Sequence, residues 1–235
     1  MNIEKYARRK QFYSDEVPPL LSECLANNEW DSLADLGCGD GSLVYSLNQR
    51  GYFQGKTVYA VDLSRIRVDR VKEQNSGITC VVADACDSGI YDASIDILIS
   101  TQVIEHVADD GEMAKEMFRI VSPGGTVYLS TVFKKKYAWY FYRCNGKWTL
   151  DPTHLREYTQ DKQLVELLES SGFEIIANEK TLDGRPIIDS VLRRLRVSKY
   201  VYRIPLMKFL RKVRAPIPGY YIWELVLQKK ELNAR

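Results

Sequence analysis

The residues of this chain that can do chemistry are a few acids, a glycine turn and two histidines. Asp35-Leu36-Gly37-Cys38-Gly39-Asp40-Gly41 carries glycines at alternate positions, directly after a short apolar run. Without a Cβ, such a backbone can turn sharply and approach a ligand closely. The helix expected after it points its free N–H groups at whatever lies in the turn. Asp62 closes the next apolar run, where a carboxylate can accept hydrogen bonds from a ribose. Asp84 closes the one after that. Together these describe a nucleoside site. Ser42 stands where a dinucleotide turn prefers Gly or Ala, and the Gly-Lys-Ser/Thr ending of a phosphate loop is missing. His106 and His154 are the candidates for moving a proton.

The elements that must position these residues alternate along the chain. Ser32 to Asp35, Thr57 to Val61, Ile78 to Ala83, Ile95 to Ser100 and Thr126 to Phe133 read as strands. Ser42 to Arg50, Ser64 to Asn75 and Asp109 to Ile120 read as helices, with Ser64 as a cap and Gly51 and Gly77 as stops. Residues 1–30 form an N-terminal helical cover, interrupted at Pro18-Pro19. Thr159 is expected to cap a helix through Ser171, followed by strands Phe173 to Ala177 and Tyr220 to Gln228. Pro216, Pro218 and Gly219 read as breaks. The pattern predicts a single α/β domain over 1–235: a doubly wound, mostly parallel seven-stranded sheet. Its ligand would sit at the carboxyl ends of the strands, where Asp35, Asp62, Asp84, Thr101, Gln102, Glu105 and His106 fall.

Two segments break the alternation. Residues 134–158 are aromatic and basic, with Asn145-Gly146 as a hairpin turn. They read as a lid over an acceptor site, or as the core of a small subdomain. Residues 185–215 read as a basic amphipathic appendage. From Ser190 to Ala215 there are nine basic residues and no acid, leaving 24 of the 33 basic residues against all 31 acids elsewhere. Such a face fits an anionic membrane surface better than nucleic acid, because the net charge is only +2 and no RNA-binding module is visible.

The motif set resembles the class I S-adenosylmethionine-dependent methyltransferases. Asp35 to Gly41 matches their first motif, Val61-Asp62-Leu63-Ser64 the ribose-binding acid, and Ala83-Asp84-Ala85 the adenine position. Ser100-Thr101-Gln102-Val103-Ile104-Glu105-His106-Val107 matches the motif after the fourth strand, and Ser122 to Thr126 the turn into the fifth. The resemblance implies a Rossmann-like fold and S-adenosylmethionine as cofactor. It implies contacts from Asp35, Gly37, Cys38, Gly39, Asp40 and Gly41 to the methionine end, from Asp62 to the ribose, and from Leu63, Asp84 and Ala85 to the adenine. Thr101 and Gln102 would border the same site. Asp40 could instead help to start the helix. Gln102 to His106 is similar to a metal-binding stretch of the ubiquinone-biosynthesis O-methyltransferases, but Gln102 stands where they have an acid, so no metal is expected. Asp151-Pro152-Thr153-His154-Leu155-Arg156-Glu157-Tyr158 resembles a segment bordering the acceptor in small-molecule methyltransferases. By that likeness His154 is a general base or an orienter, with Arg156 or Tyr158 holding substrate; His106, after the fourth strand, is the other candidate base, and Tyr140 of the aromatic segment a further candidate substrate contact.

Composition bounds the rest. With 45% hydrophobic and 27% charged residues the chain is globular. Five cysteines without Cys-x-x-Cys spacing argue against a disulfide framework or a structural zinc. Met1 to Lys10 is too polar for a signal peptide, so a reduced, cytoplasmic setting is expected. The expected reaction is methyl transfer to a small or lipid-linked acceptor, on an oxygen of a sugar, glycan or isoprenoid-type molecule. An RNA or protein methyltransferase is the alternative, although the Asn-Pro-Pro-Tyr turn of many amino-group enzymes is absent. A nicotinamide dehydrogenase and a non-catalytic protein of the same fold complete the alternatives.

Overall fold

The computed structural model describes residues 16–144, 146–186 and 204–230. Seven strands form one sheet in the order β3-β2-β1-β4-β5-β9-β8. They are β1 (Ser32–Leu36), β2 (Thr57–Asp62), β3 (Thr79–Val82), β4 (Ile95–Thr101), β5 (Val121–Lys134), β8 (Phe173–Pro186) and β9 (Arg214–Lys229). The first five are parallel, and β9 runs antiparallel to both β5 and β8. The helices are α1 (Pro19–Asn27), α2 (Ser42–Gln49), α3 (Arg65–Gln74), α4 (Asp110–Ile120), α5 (Asp161–Ser170) and α6 (Pro205–Leu210). A separate hairpin, β6 (Tyr142–Cys144) with β7 (Lys147–Thr149), closes over a tight turn with Gly146 at φ +77°. The doubly wound, mostly parallel sheet expected from the alternation is present.

Two cores sandwich the sheet. One buries Leu98, Val127, Leu129, Phe173, Trp223 and Leu225 against α4 and α5; the other buries Leu33, Ile97, Ile99 and Tyr128 against α1. Each fully buried Leu, Ile or Phe side chain stabilises the fold by roughly 1.5–3 kcal/mol. Trp223 is enclosed because its indole N–H donates to Asn178 Oδ1 at 2.7 Å. α4 is tied to the loop carrying Asp84. Buried Glu116 accepts from the Ser88 amide at 2.7 Å and from Arg119 Nε at 2.8 Å.

Several boundaries differ from expectation. Ser64 precedes α3, but its side chain makes no cap hydrogen bond. Gln160, not Thr159, begins α5 through a capping box with Gln163, whose side chain can also reach back to the chain N–H groups. Ser122 to Gly125 does not stand outside the fifth strand: β5 starts at Val121, paired with Ile95 across a register shift. Pro216, Pro218 and Gly219 do not break β9. Gly184 to Pro186 pairs there with Arg214 to Pro216, on the far side of another register shift. The ends of the basic segment therefore belong to the main sheet, and its described helix is only α6. The N-terminal part of the helical cover and residues 187–203 lie outside the described residues.

Candidate functional site

The glycine turn leaves β1 at its carboxyl end. The Gly37 and Cys38 amides both donate to Val61 O at 2.8 Å, which clamps the turn onto β2. Gly37 has φ +85°, and a Cβ there would lie 2.3 Å from the Val103 side chain. Gly39 has φ +55° with nothing within 4 Å of an added Cβ, so its freedom is needed for conformation and its outer face is open. The turn is closed by Asp62. Its Oδ2 accepts from the Gly39 amide at 3.0 Å and its Oδ1 from the Ser64 amide at 2.8 Å, with Arg67 Nη1 at 3.5 Å.

Asp35 lies beneath this turn, 1% exposed, and its Oδ1 has no hydrogen-bond partner. Burial, and then the neighbouring Asp62 carboxylate, push its pKa up to about 7. A buried, unpartnered carboxylate oxygen beside an open glycine turn fits a ligand bearing an ammonium group and a ribose. Asp40 is engaged by Arg70 of α3 at 2.6 Å. That pair holds the turn to α3, which makes Asp40 part of the scaffold and not a free ligand for an amine. Cys38 and Ala85 are buried among apolar side chains, so only their backbones can meet a ligand. Leu63 is half exposed, as a side chain lying on a base needs to be. Asp84 is exposed; its Oδ1 accepts from the Cys86 amide at 2.9 Å. Thr101 ends β4. Gln102 follows with φ +56°, its amide on Ser130 O at 2.9 Å and its side chain exposed at the same mouth.

The pKa of Asp35 has a measurable consequence. S-Adenosylmethionine binding should weaken as pH falls through 7, by up to about tenfold per pH unit, because the protonated acid must release its proton to pair with an ammonium. Calorimetry in buffers of different ionisation enthalpy should register that release near pH 6; affinity flat from pH 5.5 to 7.5 refutes it.

The second half of the site is built where 151–158 crosses the end of β4. Leu155 and Arg156 amides donate to Glu105 O at 2.9 and 3.3 Å. Arg156 donates to the carbonyls of Ile104, Val107 and Ala108 at 2.7–2.8 Å, and Tyr158 donates to Asp110 Oδ2 at 2.8 Å. Both side chains are thus spent on fixing the crossing, in place of the substrate-holding roles expected for them. Tyr140 is likewise corrected. It is buried with Val132, Ala138, Leu150, Ile217 and Tyr220, in a small core beneath the hairpin.

The histidines do come together. Their rings are 4.8 Å apart, edge to face. His106 Nδ1 lies 3.3 Å from Thr153 O, and burial followed by the proximity of His154 lowers its pKa. His154 Nδ1 lies 3.0 Å from Glu157 Oε1. The same oxygen accepts from the Leu150 amide at 2.7 Å, and Oε2 takes Lys134 Nζ at 2.8 Å. Burial would raise Glu157, but the bonds from His154, Lys134, Leu150 and Thr149 outweigh it and hold the pKa at about 2. An ionised Glu157 fixes the proton of His154 on Nδ1 and leaves Nε2 as an acceptor. Fully buried Glu105 completes the group. Its Oε2 accepts from Thr131 at 2.8 Å and its Oε1 has no hydrogen-bond partner. One ligand atom each of Glu105, His106 and His154 lie within 4.8 Å of one another, so these three could hold a divalent cation although no metal was expected. Sequence reasoning places Glu105 at the ligand end of β4 without giving it a role, and does not single out Glu157. The three-residue spacing of His154 and Glu157 was the available signal.

Comparison with known proteins agrees with this geometry. Residues 34–129 match the family described as a methyltransferase domain. An S-adenosylmethionine-dependent methyltransferase of Mycolicibacterium smegmatis is 30% identical over 145 residues, 60% of this chain and 51% of that protein. A ubiquinone biosynthesis O-methyltransferase of Pseudomonas fluorescens is 29% identical over 113 residues, 46% of this chain and 47% of that protein. The chain thus spans about half the length of these relatives. A methyltransferase structure from Bacillus halodurans superposes with TM-score 0.64 at 16% identity, over 90% of this chain and 97% of the other. The cyclase SpnF superposes with TM-score 0.62 at 18% identity, over 94% and 86%, which shows the fold alone. Residues 34–129 thus match a methyltransferase domain, and the motifs, sheet order and glycine turn are similar to those of S-adenosylmethionine-dependent methyltransferases.

Proposed function

We propose that the protein transfers the methyl group of S-adenosylmethionine to an oxygen of a small-molecule acceptor, with His154 as general base. The observation that carries this reading is the buried Glu157–His154 pair at 3.0 Å, set against Glu105-His106 at the end of β4. The cofactor supplies an electrophilic methyl group on a good leaving group, so positioning supplies much of the rate. An oxygen acceptor must also lose a proton. Nε2 of His154 takes it, while Glu157 holds Nδ1–H and stabilises the imidazolium that forms. Asp62 and the Gly37–Gly39 backbone fix the nucleoside, and Asp35 fixes the ammonium. The relatives named as O-methyltransferases support an oxygen acceptor. Within that class we favour a sugar, a lipid-linked glycan or an isoprenoid-type molecule, because aromatic side chains from 137 to 148 lie at the same end of the sheet.

The test is to supply S-adenosylmethionine with a labelled methyl group and cell extract separated into small-molecule, lipid-linked, protein and RNA fractions. Label in an ether of the small-molecule or lipid-linked fraction is the expected result. Label confined to protein or RNA overturns the acceptor class, and no turnover with any fraction overturns the reaction.

A further inference from the structure

We propose that the face made by residues 135–148 and by α6 with the start of β9 seats the protein on an anionic membrane surface. Two separate segments build it. From the first, Tyr137, Trp139, Phe141 and Tyr142 are exposed, Phe141 to 74%. From the second, Leu206, Phe209 and Val213 are exposed, Phe209 to 65%. The segments abut. Trp139 N donates to Pro218 O at 3.1 Å and Lys135 N to Gly219 O at 2.8 Å, and a Cβ on Gly219 would lie 2.6 Å from Ala138 Cα. The buried core of Val132, Ala138, Tyr140, Leu150, Ile217 and Tyr220 backs them. The aromatic side chains of the first segment are therefore presented by a packed support.

Within the two segments the charge has one sign. Neither 134–150 nor 204–223 contains an acid. Lys135, Lys136, Arg143 and Lys147 are exposed on the first segment, and Lys212 and Arg214 on the second. Arg143 lies over the Trp148 ring at 4.1 Å, and Arg214 also meets Glu16 at 3.1 Å. Aromatic rings among lysines and arginines suit the headgroup region, where rings enter the acyl boundary and cations meet lipid phosphates. Protein interfaces are depleted in lysine, which disfavours a protein partner here. Single-stranded nucleic acid wants flat stacking platforms. These rings instead meet edge to face: Trp139 is tilted 66° to Phe141 and 65° to Trp148. Leu206 and Val213 offer a base nothing to stack on. The face also lies at the carboxyl end of β5 and the start of β9, the end of the sheet that holds Asp62 and His106. The inference rests on this surface and not on the identity of the acceptor.

The test is sedimentation of the full chain with phosphatidylcholine vesicles, with and without phosphatidylglycerol, at low and high salt. Binding to the anionic vesicles alone, lost at high salt, is expected. Trp139→Ser with Phe141→Ser should weaken it about tenfold or more, as should Lys147→Glu with Lys212→Glu, while calorimetric affinity for S-adenosylmethionine stays at the wild-type value. Three results overturn the proposal: no vesicle binding at low salt, equal binding to neutral and anionic vesicles, or affinity unmoved by both double variants. Salt-sensitive binding to a single-stranded oligonucleotide without vesicle binding assigns the face to nucleic acid instead.

Discussion

Asp62→Ala should lose S-adenosylmethionine binding by at least a hundredfold in titration calorimetry, with the protein still folded by circular dichroism. Two effects act together. The Gly39 and Ser64 amides lose their acceptor, at about 1–3 kcal/mol for each donor left without a partner, so the turn loses its bound shape. The ribose hydroxyls lose a charge-assisted acceptor, which is stronger than a neutral one. Roughly 3–5 kcal/mol in total corresponds to two or three decades in Kd. Asp62→Asn separates the contributions. It keeps the size and one acceptor oxygen, and should cost about tenfold. It also removes the neighbouring negative charge that helps to raise Asp35, so the pH at which binding weakens should move below 7. Wild-type affinity in Asp62→Ala refutes the ribose assignment. An unmoved midpoint in Asp62→Asn refutes the coupling of the two acids.

The glycine turn and its acids were legible in the sequence because their signals are local. The acid ending the next strand lies beside a strand-to-helix glycine turn where the two strands are parallel neighbours, as β1 and β2 are. Asp35, Gly37, Gly39 and Asp62 could be placed from order along the chain alone. Asp40 could not be, since its partner Arg70 is thirty residues away on α3. The acceptor half is non-local. Arg156 and Tyr158 have residue types suited to substrate, yet they are used up by three carbonyls of the 104–108 turn and by Asp110. Only the three-dimensional crossing of 151–158 over β4 shows this. The same holds for Glu157, which looks like one more surface acid until Lys134, Thr149 and the Leu150 amide are brought around it. Strand ends were misread where proline and glycine usually mean a break. β9 continues through Pro216 and Pro218 because pairing with β8 and the Ala138–Tyr140 connection supplies the contacts that outweigh their poor strand propensity.

His154→Gln should lower kcat by about 10²–10⁴ while leaving S-adenosylmethionine affinity within about twofold, since the base acts on the acceptor and touches no part of the nucleoside site. Added imidazole should restore part of the activity in His154→Gly, which a purely structural role would not allow. Glu157 is a positioning residue, and Glu157→Gln tests it. Its amide nitrogen can donate to Nδ1, which puts the proton on Nε2 and removes the acceptor; a tautomer inverted in this way costs about 10⁴-fold in the serine-protease triad. Glu157→Gln should therefore depress kcat with little change in KM, and its pH profile should differ from that of His154→Gln. The cluster with Glu105 and His106 supplies the competing assignment. Rates that collapse under a chelator and return with a divalent cation make His154 a ligand, and the Nε2 lone pair is then spent on the ion. Rates indifferent to the chelator, with kcat lost in both variants, leave the imidazole free to act as base. A kcat within threefold of wild type in His154→Gln removes it from the chemistry altogether.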